Sequence, residues 1–132
     1  MENPESLDFG KLIVQVYTAD QALPIEGANV LVTKTVDGGE ELISVTKTNR
    51  SGKTEPIFLP SPPSTNSLTP DGGTRYFVYN IRVDYPGFYT MENLDVPIFG
   101  GETAIQPIAL IPLPLDDEQG KKITVVEREP NL

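Results

Sequence analysis

Short apolar runs, each closed by glycine or proline, constrain this chain more than any other feature. Pro24-Ile25-Glu26-Gly27-Ala28-Asn29-Val30 is the clearest case. It reads as a tight turn feeding a strand, and it sits between one β-rich run and the next. Lys11 to Thr18 is dense in β-branched residues and places Leu12, Val14 and Val16 on one face. Asp20 to Gly27 reads as a loop, and Ala28 to Val36 as a strand burying Ala28, Val30 and Val32. Asp37-Gly38-Gly39 turns the chain into a return strand, Glu41 to Thr48. Asn49-Arg50-Ser51-Gly52 turns it again, into Thr54 to Leu59, where Pro56 signals an edge or a bulge. Tyr76 to Tyr85 has the cleanest alternation, with Phe77, Tyr79, Ile81, Val83 and Tyr85 on one face. Phe88 to Val96 follows, with Phe88, Leu94 and Val96 as core candidates. Phe99-Gly100-Gly101 turns into Thr103 to Ile111, which Pro107 assigns to an edge. No helical period of useful length, internal repeat or heptad interrupts the pattern. The expectation is an all-β, seven-strand antiparallel sandwich with a possible extra C-terminal strand.

At 132 residues the chain is one domain by length. The runs divide it into an N-terminal arm (1–9), the sandwich (10–112) and a C-terminal linker and tail (113–132). In the tail, Pro112-Leu113-Pro114-Leu115 reads as a stiff linker and Lys121 to Arg128 as a further strand. Ile123 and Val125 then face one way, and an unpaired apolar strand of this kind suits docking onto a partner's sheet edge. The irregular segment Pro60 to Thr74 is a second binding candidate, since Pro60, Pro62 and Pro63 extend it before contact and reduce the entropy lost on docking. Tyr76 and Tyr89 are the aromatics expected at the surface, where they would stack on a sugar or anchor a protein contact; Tyr79, Tyr85 and Phe88 are expected in the core.

The totals exclude much chemistry. There is no cysteine and no histidine. Disulfides, thiolate metal sites, and the Ser-His-Asp and Cys-His arrangements cannot be built. A net charge of −9 opposes binding to nucleic acid and to anionic membranes. The acidic groups Asp37, Glu40, Glu41 and Asp116, Asp117, Glu118 match no calcium-loop pattern and read as solvated turns. No metal, cofactor or catalytic residue is expected. Met1 to Phe9 lacks the apolar segment of a secretory signal, so the expectation is a soluble protein made without one.

Four pieces occur in a telling order: Gly10-Lys11-Leu12-Ile13-Val14-Gln15-Val16; Pro24 to Val30; Thr48-Asn49-Arg50-Ser51-Gly52; and Tyr79-Asn80-Ile81-Arg82-Val83 with Tyr85-Pro86-Gly87-Phe88-Tyr89. In that order they resemble carboxypeptidase regulatory-like domains, which have a transthyretin-like (prealbumin-like) sandwich. The resemblance spans about Gly10 to Pro112. More loosely, Leu59-Pro60-Ser61-Pro62-Pro63 and Ile111-Pro112-Leu113-Pro114 resemble accessory domains of spore-cortex-lytic and peptidoglycan-binding proteins of Gram-positive spore formers. The resemblance implies a non-catalytic module. Hydroxyisourate hydrolases share the fold but use histidines and a Tyr-Arg-Gly-Ser ending, both missing here. Collagen-adhesin domains crosslink Lys to Asn. Lys11 could take the first position, but Thr103 to Ile111 offers no Asn. Two expectations follow. One is a structural or protein-interaction module of an envelope, spore or phage-type assembly, with protein partners or self-assembly. The other is a module binding peptidoglycan or surface glycan through Tyr76 and Tyr89.

Overall fold

The computed structural model describes residues 7–18, 22–62, 76–114, 119 and 121–127. These form nine strands and no helix: β1 (Asp8–Thr18), β2 (Leu23–Pro24), β3 (Asn29–Val36), β4 (Gly39–Lys47), β5 (Ile57–Ser61), β6 (Phe77–Asp84), β7 (Thr90–Ile98), β8 (Thr103–Ala109) and β9 (Lys122–Val126). They pack as a β-sandwich. One sheet has β1 at its centre, with β8 along one side and both β2 and β5 along the other. The second sheet runs β4-β3-β6-β7-β9.

Strand alternation builds the core. Leu12, Val14 and Val16 of β1 meet Val30 and Val32 of β3 and Tyr79, Ile81 and Val83 of β6, all buried. Each fully buried aliphatic chain contributes about 1.5–3 kcal/mol relative to exposure. Two glycines let the backbones approach. A Cβ on Gly10 would lie 2.5 Å from the Phe99 carbonyl oxygen and 2.6 Å from Ile98 Cγ2. Gly52 adopts φ 81, and a Cβ there would lie 2.5 Å from the Val16 carbonyl oxygen. The turn at Pro24 to Ala28 is held by one residue, Thr48: its hydroxyl donates to the Ile25 carbonyl (2.6 Å) and accepts from the Ala28 amide (2.9 Å).

Several expectations are corrected. Two pairings, β1 with β8 and β7 with β9, are parallel, so the sandwich is mixed rather than purely antiparallel. Asp8 and Phe9, assigned to an arm, extend β1 and pair with Ser61 and Pro60. The loop before the first turn contains the two-residue β2. Pro107 does lie on an edge strand, since β8 pairs with β1 alone. Leu94 is half-buried and does not join the core cluster. A bulge explains it: Tyr79 pairs with Val96 but Ile81 with Asn93, so Asn80 faces both Leu94 and Asp95. The extra residue reverses the alternation of β7. Met91 and Asn93 face inward before it, and Val96 and Ile98 after it. Asp95 takes the left-handed conformation (φ 62), and its amide donates to Asn80 Oδ1 at 3.2 Å.

The C-terminal segment is part of the domain. Leu113 donates its amide to the Gly87 carbonyl (2.9 Å), and Phe88 bridges Pro112. β9 then pairs with β7 from Thr90–Lys122 to Leu94–Val126.

Candidate interaction surfaces

The residues singled out from sequence do not form one site. Pro60 lies inside β5 opposite Phe9, and its carbonyl accepts the Tyr79 hydroxyl at 2.7 Å. It anchors the core rather than shaping a loop. Pro62 is half-buried beside it, its carbonyl accepting the Ser61 hydroxyl at 3.3 Å. Pro63, with residues 64–75, lies outside the described residues. Tyr76 precedes β6 and packs against Phe99, with ring centroids 5.2 Å apart. Tyr89 precedes β7 at the other end of the same hairpin, where Met91 pairs with Val83. The length of β6 separates the two rings by roughly 25 Å, too far to share one sugar. Ile123 and Val125 share one side of β9, opposite Met91 and Asn93; Ile123 packs on the core, while Val125 is exposed. The tail strand thus pairs within its own chain along one edge, and its other edge has no strand partner among the described residues.

The two outer faces differ in kind. That of the five-stranded sheet carries a network of charged and amide side chains. Glu92, nearly buried, accepts from Arg82 (3.1 Å), Lys122 (3.3 Å) and the Thr124 hydroxyl (3.1 Å). Burial raises its pKa, but the hydrogen bonds from Arg82, Thr124 and Lys122 outweigh this and hold the carboxyl below its ordinary value. The Asn80 amide donates to Thr35 Oγ1 (3.0 Å) and Glu40 Oε2 (3.2 Å) on the same face. Asn29 donates to Asp84 at 3.3 Å. These contacts lace all five strands together, although Leu42, Val45 and Val126 remain more than half exposed on the same sheet.

The outer face of the four-stranded sheet is apolar and aromatic. Phe9, Ile13 and Tyr17 of β1 point away from the core, with Phe58 and Pro60 on one side and Ile105 and Pro107 on the other. Phe9, Phe58 and Ile105 are 51%, 61% and 58% exposed. Lys11 is the one charged side chain that β1, β5 and β8 place on this face. It pairs with Phe58 across the ladder, its ammonium 5.5 Å from the ring centroid. Sequence reading missed this surface because it used β-branched residues to find the core. The signal was present: Ile57-Phe58-Leu59 is apolar without alternation, a pattern that marks a strand contacted on both faces.

Two hollows lie at the end of the sandwich. One, of about 430 Å³, is lined by Val96, Pro97, Phe99, Glu102, Ala104 and Glu127 among others. The other, of about 450 Å³, is lined by Tyr76, Val78, Asp95 and Glu127. Glu127 separates them, held by the Asn93 amide at 2.7 Å. Among the described residues no cluster of three or more acidic side chains is arranged to hold a metal ion.

No family model matches the chain. No curated protein matches it in sequence either. In fold it is similar to the A72G mutant of catechol 1,2-dioxygenase from Acinetobacter radioresistens, with a TM-score of 0.51 and 13% identity. The match covers 90% of this chain and 58% of the dioxygenase chain. At that identity the likeness concerns the sandwich alone. The chain thus has the β-sandwich expected from its turns, while the narrower carboxypeptidase regulatory-like resemblance finds no support from a family match.

Proposed function

We propose that this domain is a non-catalytic interaction module that docks protein partners through the outer face of its four-stranded sheet. The observation that carries the reading is the cluster of Phe9, Phe58 and Ile105, each more than half exposed, on three adjacent strands that place Lys11 as their one charged side chain among them. Three or four such side chains present on the order of 400 Å², the scale at which an apolar patch on a single domain is often functional. The net charge of −9 favours a protein partner over an anionic membrane or nucleic acid. The order of turn and strand motifs supports the same reading, since carboxypeptidase regulatory-like domains are mostly non-catalytic modules; an envelope, spore or phage-type assembly is the proposed setting. The glycan-binding alternative loses its main support with the separation of Tyr76 from Tyr89.

The test is site-specific photocrosslinking in cells. A photoreactive residue replaces Phe58 or Ile105 on the apolar face, or Thr33 or Thr124 on the outer face of the five-stranded sheet. Discrete protein adducts from the first pair and none from the second are expected. Equal labelling from both faces, or none from Phe58 and Ile105, would refute the reading.

A further inference from the structure

We propose that this chain forms a two-fold dimer by joining the open edge of β4 to the same edge of a second copy. The surface lies apart from the apolar docking face and does not depend on it. β4 pairs with β3 alone, so its far edge has no strand partner among the described residues. The ladder fixes which residues aim their backbone groups at that edge. Val36 and Gly39 close a two-residue turn and form a hydrogen-bonded pair. At the other end the Thr48 amide donates to the Ala28 carbonyl at 3.1 Å. Bonded and non-bonded pairs alternate between those limits, so Glu40, Leu42, Val45 and Lys47 turn their amides and carbonyls outward. The same four stand opposite Thr35, Thr33, Leu31 and Asn29, on the outer face of the sheet, and all four are exposed.

Their order selects a second copy. Val32 pairs with Ser44 and Thr33 with Leu42, so Ile43 is the extra residue of a bulge. A bulge protects an edge, because beyond it a regular partner strand has its side chains on the wrong faces. An antiparallel copy of β4 carries the same bulge at the same place. Aligned about the midpoint of Ile43 and Ser44, the two strands set Glu40 opposite Lys47 and Leu42 opposite Val45, twice each by symmetry. Every residue then meets one on its own face. Glu41 and Thr46 lie on the inner side, opposite Lys34 and Val30, as do Ser44 opposite Val32 and Ile43 against the core. The charges agree as well. Lys47 makes no ion pair among the described residues. Glu40 accepts from the Thr33 hydroxyl and the Asn80 amide through Oε2 in both cases, and its other oxygen suits the Lys47 of a neighbour. Leu42 and Val45, 57% and 60% exposed, cover each other. The two-fold axis is perpendicular to the joined sheet, so the apolar docking faces of both copies point the same way.

The contact is small, so dissociation is expected at roughly 0.1–1 mM. Sedimentation velocity on the full chain, from about 10 µM to about 1 mM, reads it directly. The weight-average mass is expected to rise with concentration toward twice that of the monomer and no further. Lys47→Glu and Glu40→Lys each set like charges opposite one another twice, and are each expected to weaken association about tenfold, with the double variant K47E/E40K restoring it. Val45→Pro removes an outward amide that β3 does not use, and should abolish the dimer while keeping the fold. Urea unfolding checks the fold of each variant, and Lys47→Glu, at the exposed end of the strand, decides the matter whatever the others do. A wild type that stays monomeric at about 1 mM, a mass that climbs past the dimer, or association that Lys47→Glu leaves unchanged would overturn the inference. Photocrosslinking from Phe58 reads the docking face alone, so the two readings fail separately.

Discussion

Gly52→Ala, set against Gly38→Ala, isolates what close approach of two backbones is worth in this fold. Both glycines occupy the left-handed region, at φ 81 and φ 86. That conformation costs an alanine about 1–2 kcal/mol wherever it occurs. At Gly38, in the β3–β4 turn, a Cβ meets nothing within 4 Å, so the conformational cost is the whole effect. At Gly52 the Cβ lies 2.5 Å from the Val16 carbonyl oxygen, 3.0 Å from Pro24 Cβ and 3.2 Å from the Ile25 amide nitrogen. Backbone must therefore move. The same residue accepts from the Val16 amide at 2.7 Å and donates to the Asn49 carbonyl at 2.8 Å. Losing those two bonds adds about 1–3 kcal/mol at the usual worth of each. Gly52→Ala should thus cost about 2–5 kcal/mol and Gly38→Ala about 1–2. Urea unfolding followed by far-UV circular dichroism measures both, with the midpoint shifting at constant slope. Equal losses in the two variants would show that the approach of the turn to β1 contributes nothing.

Four further outcomes follow. The Glu92 carboxyl sits below its ordinary value in the fold, so its stabilisation is complete above about pH 4.3 and is lost as the pH falls through the folded value. Glu92→Gln should flatten that acid limb in pH-dependent unfolding, and cost about 1 kcal/mol at neutral pH given the exposure of Arg82 and Lys122. Tyr79→Phe removes the bond to the Pro60 carbonyl while keeping the ring in the core, for a loss of about 1 kcal/mol read by the same assay. Asn93→Asp replaces the donor to Glu127 with a second carboxylate, and should destabilise by about 2 kcal/mol at neutral pH, with recovery below about pH 4 as the pair takes up a proton. Removing residues 116–132 strips β9 from β7 and uncovers the core beside Ile123; it should cost at least about 2 kcal/mol and abolish hydrogen-exchange protection along the β7 edge.

The features legible from sequence are those governed by neighbours along the chain. The inward faces of β1 and β3 followed from strict alternation: Leu12, Val14, Val16, Ala28, Val30 and Val32 are all fully buried. The turns at Asp37-Gly38, Asn49 to Gly52 and Gly100-Gly101 lie where glycine was needed, because a left-handed φ leaves a local chemical mark. Alternation failed in β7, where one extra residue opposite Asn80 reverses it. Nothing in Asn93-Leu94-Asp95-Val96 announces a bulge, since its cause is the registry with another strand. The candidate binding residues fared less well for the same reason. Tyr76 and Tyr89 are thirteen positions apart in sequence, and only the hairpin shows that they stand at opposite ends. Pro60 reads as loop in isolation, yet a proline can end an edge strand and lend its carbonyl to Tyr79.

By itself, then, the sequence determined an all-β sandwich, the core residues of its regular strands, and the absence of histidine and cysteine chemistry. Periodicity, turn residues and composition are properties of short segments and need no partner to be read. Only the tertiary structure decided that the tail strand pairs with β7 in parallel, and that Phe9, Phe58 and Ile105 gather on the outer face of one sheet while the charged network lies on the other. Parallel neighbours come from distant parts of the chain, joined by long connections that leave no local signature. Whether an apolar side chain such as Phe58 or Ile105 is core or surface depends on which sheet covers it, and no single strand contains that information.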